Sequence, residues 1–399
     1  MSQIKKKTVL MLLDGSFPPD VRVEKEINVL KSEGYSIIVC CTKKSNKSVI
    51  EEWNDIKIYR EKISNFIYKT MVGALKFPFY YKFWKRFMKK VLANERIIDI
   101  VHAHDLVMVP VALELVKHTG AKLVIDFHEN YPYLIKDAKH TQSILGKFLS
   151  DYRKWERLEK EVVKEADVII TVVEEMKQRI VDLGAKESKV HIYQNVIDLS
   201  CIPDNFKINS EPTKGFNLVY VGGITPARGL STVVKAITLL LEQEKNRFKL
   251  TVCGTGSYEP ELRLFAKEMG VFHLIDFCGW VNQADVFSYI SKGNAAIIPH
   301  YRSIQNDCSS PNKLYQYMLI NKPVISSDCK SLKRIIESNN SGLIYKDNSP
   351  EDLSQKIQQL MNDKEIVKSL GENGRLAVVN KYNTNVEKRE LIKAYSNLE

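Results

Sequence analysis

The sequence lacks the marks of several protein classes. No stretch of its 399 residues approaches the roughly 18 apolar residues that a membrane-spanning helix requires. The first apolar run, residues 9–13, is too short for a secretory leader. Asp14 ends it and no small-residue cleavage site follows, so it reads as a buried strand and the chain is expected to be cytoplasmic. The seven cysteines are scattered, with Cys40 and Cys41 adjacent and no C-x-x-C pair, which excludes a disulfide framework or a zinc ribbon and leaves reduced, mostly buried thiols. No D-x-D is present to offer a pair of carboxylates to a divalent cation, and no metal is expected. G-x-G-x-x-G is missing too. The nearest approach, Gly254 and Gly256, has no third glycine, which removes the best sign of a dinucleotide-binding dehydrogenase.

What the chain has in excess is positive charge, +11 net, which favours anionic partners such as phosphorylated substrates or an anionic membrane surface. No nucleic-acid-binding motif accompanies that charge, so nucleic acid is not expected.

Apolar runs alternate with helical periodicity along the whole chain. Residues 8–13, 35–41, 56–59, 97–104, 122–128, 166–172 and 189–193 read as strands of a first series, with a long helix over 144–164. Residues 216–222, 248–254, 273–279, 295–299, 323–327 and 342–345 form a second series. Continuous apolar strands between helices imply a parallel sheet covered on both faces. The expectation is two doubly wound, Rossmann-like α/β domains facing a cleft: 1–198, then a polar linker over 199–215, then 216–381, with a terminal helix near 382–399 packing back on the first. In such folds ligands gather beyond the carboxyl ends of the strands.

Three strand-to-helix loops carry candidate chemistry. The first, residues 14–22, has Gly15 for close backbone approach, Asp20 as an N-cap and Arg22 in the first helical turn. The second, residues 220–230, sets Gly222 and Gly223 before Arg228 and Gly229, where Arg228 offers a fork suited to phosphate. The third runs from Cys308 into a helix, with Ser310 as N-cap, Pro311 as first helical residue, free amides at Asn312 and Lys313, and Gln316 on the same face as Lys313. His128 and Glu129 close an apolar strand, where a cleft residue is expected. His102 and His104 read as packing residues or as residues that support others in the site.

These segments together resemble the retaining family 4 glycosyltransferases of the GT-B fold: FPPDVRVEKE, HAHDL, DFHEN, ADVIITV, QNVID, VGGI…RGL and SPNKLYQYMLINKPVIS. The resemblance covers nearly the whole chain and implies transfer of a sugar, with retention, from a nucleotide-sugar donor, UDP by family frequency. It implies that Gly15 approaches the donor phosphate and sugar, and that Gly223 and Arg228 stand at the diphosphate-binding pair, with Gly replacing the arginine and Arg the lysine. Gly279, Trp280 and Val281 would read the base, Gln316 would hold the ribose, and His128 would meet the sugar. The two glutamates of E-x7-E are here Cys308 and Gln316, with Asn306 or Asp307 as substitutes for the first. With no D-x-D, the charge of the departing diphosphate would fall to Arg228, Lys313 and the helix start near Pro311. A nucleotide-sugar epimerase of the same fold, or a non-catalytic binding protein, are the alternatives.

The first domain, which the resemblance assigns to the acceptor, holds a basic aromatic segment over 76–92. Phe77, Trp84 and Val91 recur at helical spacing opposite Lys82, Lys85, Arg86, Lys89 and Lys90. It reads as a helix docking on an anionic membrane near a glycan or polyprenyl-diphosphate-linked acceptor, peripheral on the inner face of the cell membrane. The alternative reading is a helix with an ordinary core face and solvated lysines.

Overall fold

The computed structural model describes residues 6–43, 49–138, 141, 146, 150–202 and 215–398. Most of the expected linker, and the start of the helix expected over 144–164, lie outside the described residues. The described part of that helix spans Tyr152–Glu165. The chain forms two compact units, one within residues 1–194 together with 388–399, the other within 195–387.

The first unit holds an eight-stranded sheet in the order β3-β4-β2-β1-β5-β6-β7-β8. Its strands are β1 (Thr8–Leu13), β2 (Ser36–Lys43), β3 (Ile50–Trp53), β4 (Ile56–Lys62), β5 (Ile100–His104), β6 (Lys122–Phe127), β7 (Val168–Thr171) and β8 (Val190–Ile192). All described pairings are parallel except β3 with β4, so the sheet is mixed rather than wholly parallel. β3 escaped the sequence reading because IEEW is a half-exposed edge strand with no apolar run. The central strands are apolar end to end because helices cover both faces: β1 and β5 are almost wholly buried. The terminal helix Thr384–Ser396 contributes Leu391, Ala394 and Tyr395 to this core.

The second unit holds β9 (Phe216–Val221), β10 (Phe248–Cys253), β11 (Ile275–Gly279), β12 (Ala295–Ile298), β13 (Val324–Ser327) and β14 (Gly342–Tyr345) in the order β11-β10-β9-β12-β13-β14. All pairings are parallel. Strand order reverses between β9 and β12, and in such a sheet ligands bind at that reversal. In the first sheet the corresponding reversal lies between β1 and β5. Among the described residues no helix is long and apolar enough to cross a membrane.

Candidate functional site

In the second unit the loops after β9 and β12 bring together three nitrogen-bearing side chains. A short turn, Pro226–Arg228, ends in Gly229 at φ 67°. A Cβ there would sit 1.7 Å from the Pro299 carbonyl oxygen, so only glycine lets the turn lie against the end of β12. That turn places Arg228, whose Nη1 lies 3.0 Å from His300 Nε2. His300 is buried, while Tyr301 anchors the loop by accepting or donating to Ser231 Oγ at 2.8 Å. From the helix Asn312–Leu319, half-buried Lys313 lays its ammonium over the Tyr220 ring, 4.2 Å from the centroid. Gly222 at φ 138° makes room for it, since a Cβ would come within 2.6 Å of Lys313 Nζ.

The electrostatics of this group are one-sided. Burial first, then Arg228, depress the Lys313 ammonium well below the ordinary lysine range. Burial, Lys313 and Arg228 likewise push His300 well down, so it stands neutral and can accept from Arg228. Among the described residues no carboxylate pairs with Arg228 or Lys313. The nearby acid, Asp307, is engaged by Arg302 at 2.9 Å and by the Lys330 amide at 3.0 Å. Asp307 is thus committed elsewhere, and Asn306 Nδ2 donates to the Tyr301 carbonyl at 2.7 Å.

The helix start differs from the sequence expectation. The helix begins at Asn312 with Pro311 as its extended N-cap residue, and no side chain caps it. Ser310 is buried and its hydroxyl donates to Tyr315 at 2.9 Å, so it is not the cap. The amide end is thereby left open beside Asn312 and Lys313. Gln316 is half-buried on the same helix. Cys308 is buried behind the short helix Ile304–Asp307. Gly223 is exposed with space around it, and it is Gly222 whose missing side chain is required. Gly279 ends β11 and bonds back to Gly254, followed by Trp280, 79% exposed, and half-buried Val281. Sequence reasoning missed His300. The signal available was a polar residue directly after the apolar run AAIIP, at a strand's carboxyl end.

In the first unit the alternation of β5 and β6 puts His102, His104 and Asp126 on one sheet face, and His128 follows two residues on. The helix Val21–Ser32 lays Glu26 against them. The His102 and His104 rings stack with centroids 4.3 Å apart, and His102 Nδ1 meets the Tyr395 hydroxyl at 2.7 Å. His104 Nδ1 lies 3.1 Å from Asp126 Oδ2, and His128 Nε2 contacts the same oxygen. Asp126 and His128, paired, hold each other ionised against burial: the carboxyl is well below, the imidazole above, its ordinary range. Burial and then neighbouring Asp126 push Glu26 well above the usual carboxylate range.

His128 ends an apolar strand as expected, but the residue is only 5% exposed and its ring is turned onto Asp126, not into open space. His102 and His104 are buried and support the polar cluster, His104 against Asp126 and His102 against Tyr395, rather than packing on apolar side chains. Asp105, at φ 63°, accepts from the His128 amide at 3.2 Å, and burial pushes its carboxyl up to about 7. Gly15 stands in the loop after β1 with nothing within 4 Å of an added Cβ. Asp20 caps its helix as expected, and holds Arg22 at 3.0 Å. Glu129 is half-exposed at the strand end.

The basic aromatic helix spans Phe79–Asn94, and its aromatic face is core. Trp84 has no exposed surface and Tyr80, Phe87, Met88 and Val91 are buried with it, so Trp84 cannot touch a membrane. Lys85, Arg86, Lys89 and Lys90 are exposed, Lys85 beside Glu114 and Lys90 beside Glu61.

The chain matches two protein families, "Glycosyltransferase Family 4" over residues 21–200 and "Glycosyl transferases group 1" over 202–377. An uncharacterised glycosyltransferase of Methanocaldococcus jannaschii is 24% identical over 72% of each chain. The capsular polysaccharide biosynthesis glycosyltransferase CapM of Staphylococcus aureus is 24% identical over 57% of this chain and 61% of its own length. The amylovoran biosynthesis glycosyltransferase AmsK of Erwinia amylovora is 20% identical over 56% and 55%. Among solved structures, sucrose-phosphate synthase from Thermosynechococcus elongatus superposes with a TM-score of 0.80 at 15% identity, covering 98% of this chain and 99% of its own. Anabaena HepE in complex with UDP does so at 0.72, 11% identity, and the same coverage. At these identities the structural likeness speaks to the fold.

Proposed function

Since the chain belongs to the family 4-like glycosyltransferases of the GT-B fold, we propose that it transfers a sugar with retention from a nucleotide-diphosphate donor, UDP-linked, to a glycan or lipid-linked acceptor in polysaccharide synthesis. The observation that carries the reading is the group at the β9–β12 reversal: Arg228, Lys313 and an uncapped helix start, with no facing carboxylate among the described residues. Two cations brought together without a counter-charge repel one another, and a diphosphate relieves that repulsion. The relatives that make capsule and amylovoran support a polysaccharide product, and a structural neighbour solved with UDP supports that nucleotide.

In this reading the leaving diphosphate is held by Arg228, Lys313 and the amides at Asn312, so that its charge is stabilised as the glycosidic bond to the donor breaks. Gln316 supplies hydrogen bonds to ribose, and exposed Trp280 with the Gly279 and Val281 backbone meets the base. Gly15 leaves room on the acceptor-side unit, where Arg22 and Glu129 stand near the strand ends. Incubation with nucleotide sugars and a lipid-extract acceptor should release free UDP and a glycosylated product with the donor's anomeric configuration by NMR. An isomerised nucleotide sugar with no UDP would instead identify an epimerase.

The membrane component of the reading rests on a different surface from the one the sequence suggested. Phe77 and Phe79, 37% and 49% exposed, stand at the start of the helix that carries Lys82, Lys85, Arg86, Lys89 and Lys90. Phe66, 70% exposed on the preceding short helix Asn65–Lys69, has its ring 6.4 Å from that of Phe79. Exposed rings beside exposed cations suit an anionic bilayer surface. Changing Lys85, Arg86, Lys89 and Lys90 to Glu should abolish sedimentation with phosphatidylglycerol vesicles. Unchanged sedimentation removes the membrane from the account.

A further inference from the structure

We infer that Glu26, His104, Asp126 and His128 form a binding site for a divalent transition-metal cation of the zinc type, buried in the first unit. One ligand atom from each of the four lies within 4.8 Å of all the others. His104 Nδ1 is 3.5 Å from His128 Nε2, Glu26 Oε1 is 3.7 Å from His128 Nε2, and Asp126 Oδ2 is 3.1 Å from His104 Nδ1. Ligands about 2.0–2.2 Å from a tetrahedral zinc stand roughly 3.3–3.5 Å from one another. The four atoms here range from the direct His128 Nε2–Asp126 Oδ2 contact to separations of up to 4.8 Å, so an ion enters by parting that pair, displacing the proton it shares, and drawing the outer ligands in.

The chemistry of the set points the same way. All four side chains are at least nine-tenths buried. As ionised carboxylates, Glu26 on both oxygens and Asp126 on Oδ1 meet no hydrogen-bond donor among the described residues; the two carboxyls are held together by a shared proton, whose place a cation would take. Two carboxylates buried side by side repel, and a doubly charged cation neutralises both while filling their open lone pairs. Two imidazole nitrogens among the ligands favour a zinc-class ion over magnesium or calcium, which take oxygen. His102 completes the surroundings. It is held by Tyr395 and stacked on His104, with Nε2 3.7 Å from Glu26 Oε2 and 3.9 Å from Asp126 Oδ2, where it can donate to a ligating carboxylate. The ion's role is to tie the helix Val21–Ser32 to β5 and β6 beneath the loops that carry Gly15, Asp105 and Glu129. It is separate from the diphosphate site and independent of the nucleotide reading.

The test uses the full-length chain purified without a polyhistidine tag. Elemental analysis should find roughly one zinc-class ion per chain. Chelator-stripped protein should take up cobalt with the visible absorption of a tetrahedral ion, and should be indifferent to magnesium. E26Q and H104N should each weaken retention at least about tenfold, whereas H118A, at an exposed histidine, should leave it unchanged. Wild-type protein that neither carries nor retains zinc or cobalt overturns the site even if the variants fail to fold. Full retention in E26Q and H104N assigns the ion to another place and overturns it too. UDP binding measured on the same samples reports separately on the nucleotide reading.

Discussion

Each unit gathers charge on a sheet, and the two collections are opposite in kind. The first unit buries two carboxylates among three imidazoles and pairs Asp126 with His128. The second draws Arg228 and Lys313 to the end of its central strands and, among the described residues, offers them no acid. A collection that balances itself, or awaits only a small cation, is part of the fold's interior. A collection of one sign at a strand-order reversal awaits an anionic ligand. On the proposed reading the first collection holds structure and the second holds substrate. It also explains why the histidine expected to meet the sugar is turned inward, where its charge already has a partner.

The largest expected effect is at Arg228. R228A should lose about 2–4 kcal/mol of transition-state stabilisation, as when one donor to a developing anion is removed, read as kcat/KM for the nucleotide sugar. E26Q, in the other collection, should leave the Kd for UDP unchanged. Equal losses in both would erase the distinction between the two collections. A smaller effect is expected at Gly222. G222A must adopt φ 138° and displace Lys313, so it should weaken UDP by about 1–3 kcal/mol, the order of a hydrogen bond to a charged group, through Lys313 rather than through global unfolding. Calorimetry of UDP binding beside a thermal melt separates these outcomes.

The smallest effect is the dependence of UDP affinity on pH. Lys313 and His300 are depressed in the free protein, and a diphosphate raises both. Binding therefore takes up protons. Affinity is constant below the free-state pKa of each group. It falls, by at most about tenfold per pH unit for each group, as pH rises from that value towards the bound-state pKa. Above about pH 7, where the terminal phosphate of UDP is already fully ionised, affinity that rises with pH would mean that the site prefers its cations deprotonated, and the anion reading would fail.

Much of the architecture was legible because parallel strands buried on both faces are continuous apolar runs. Phe216–Val221 and Thr8–Leu13 declare themselves, whereas the edge strand Ile50–Trp53, half polar, does not. The helix Phe79–Asn94 was legible as amphipathic, but periodicity cannot say whether Trp84 faces core or lipid, and the packing of the first unit decides for core. Ser310 satisfied the rule for a cap, yet Tyr315, one helical turn away, takes its hydroxyl. Arg228 and Lys313 were readable one by one. His300 was not, because its importance comes from lying between two loops 72 residues apart. Glu26 was hidden inside the apolar stripe of Val23, Ile27 and Leu30, and its neighbours come from β5 and β6. Ligands contributed by three separate elements leave no spacing to recognise.

The central claim is that the β9–β12 reversal binds a nucleoside diphosphate through cations that lack a counter-charge. The most direct measurement is calorimetry of UDP binding at one pH in buffers of different ionisation enthalpy, on wild type and R228A. The account predicts a saturable site in wild type, net proton uptake revealed by the buffer dependence, and much weaker binding in R228A. No binding in wild type, or binding unchanged in R228A with no proton uptake, would contradict it.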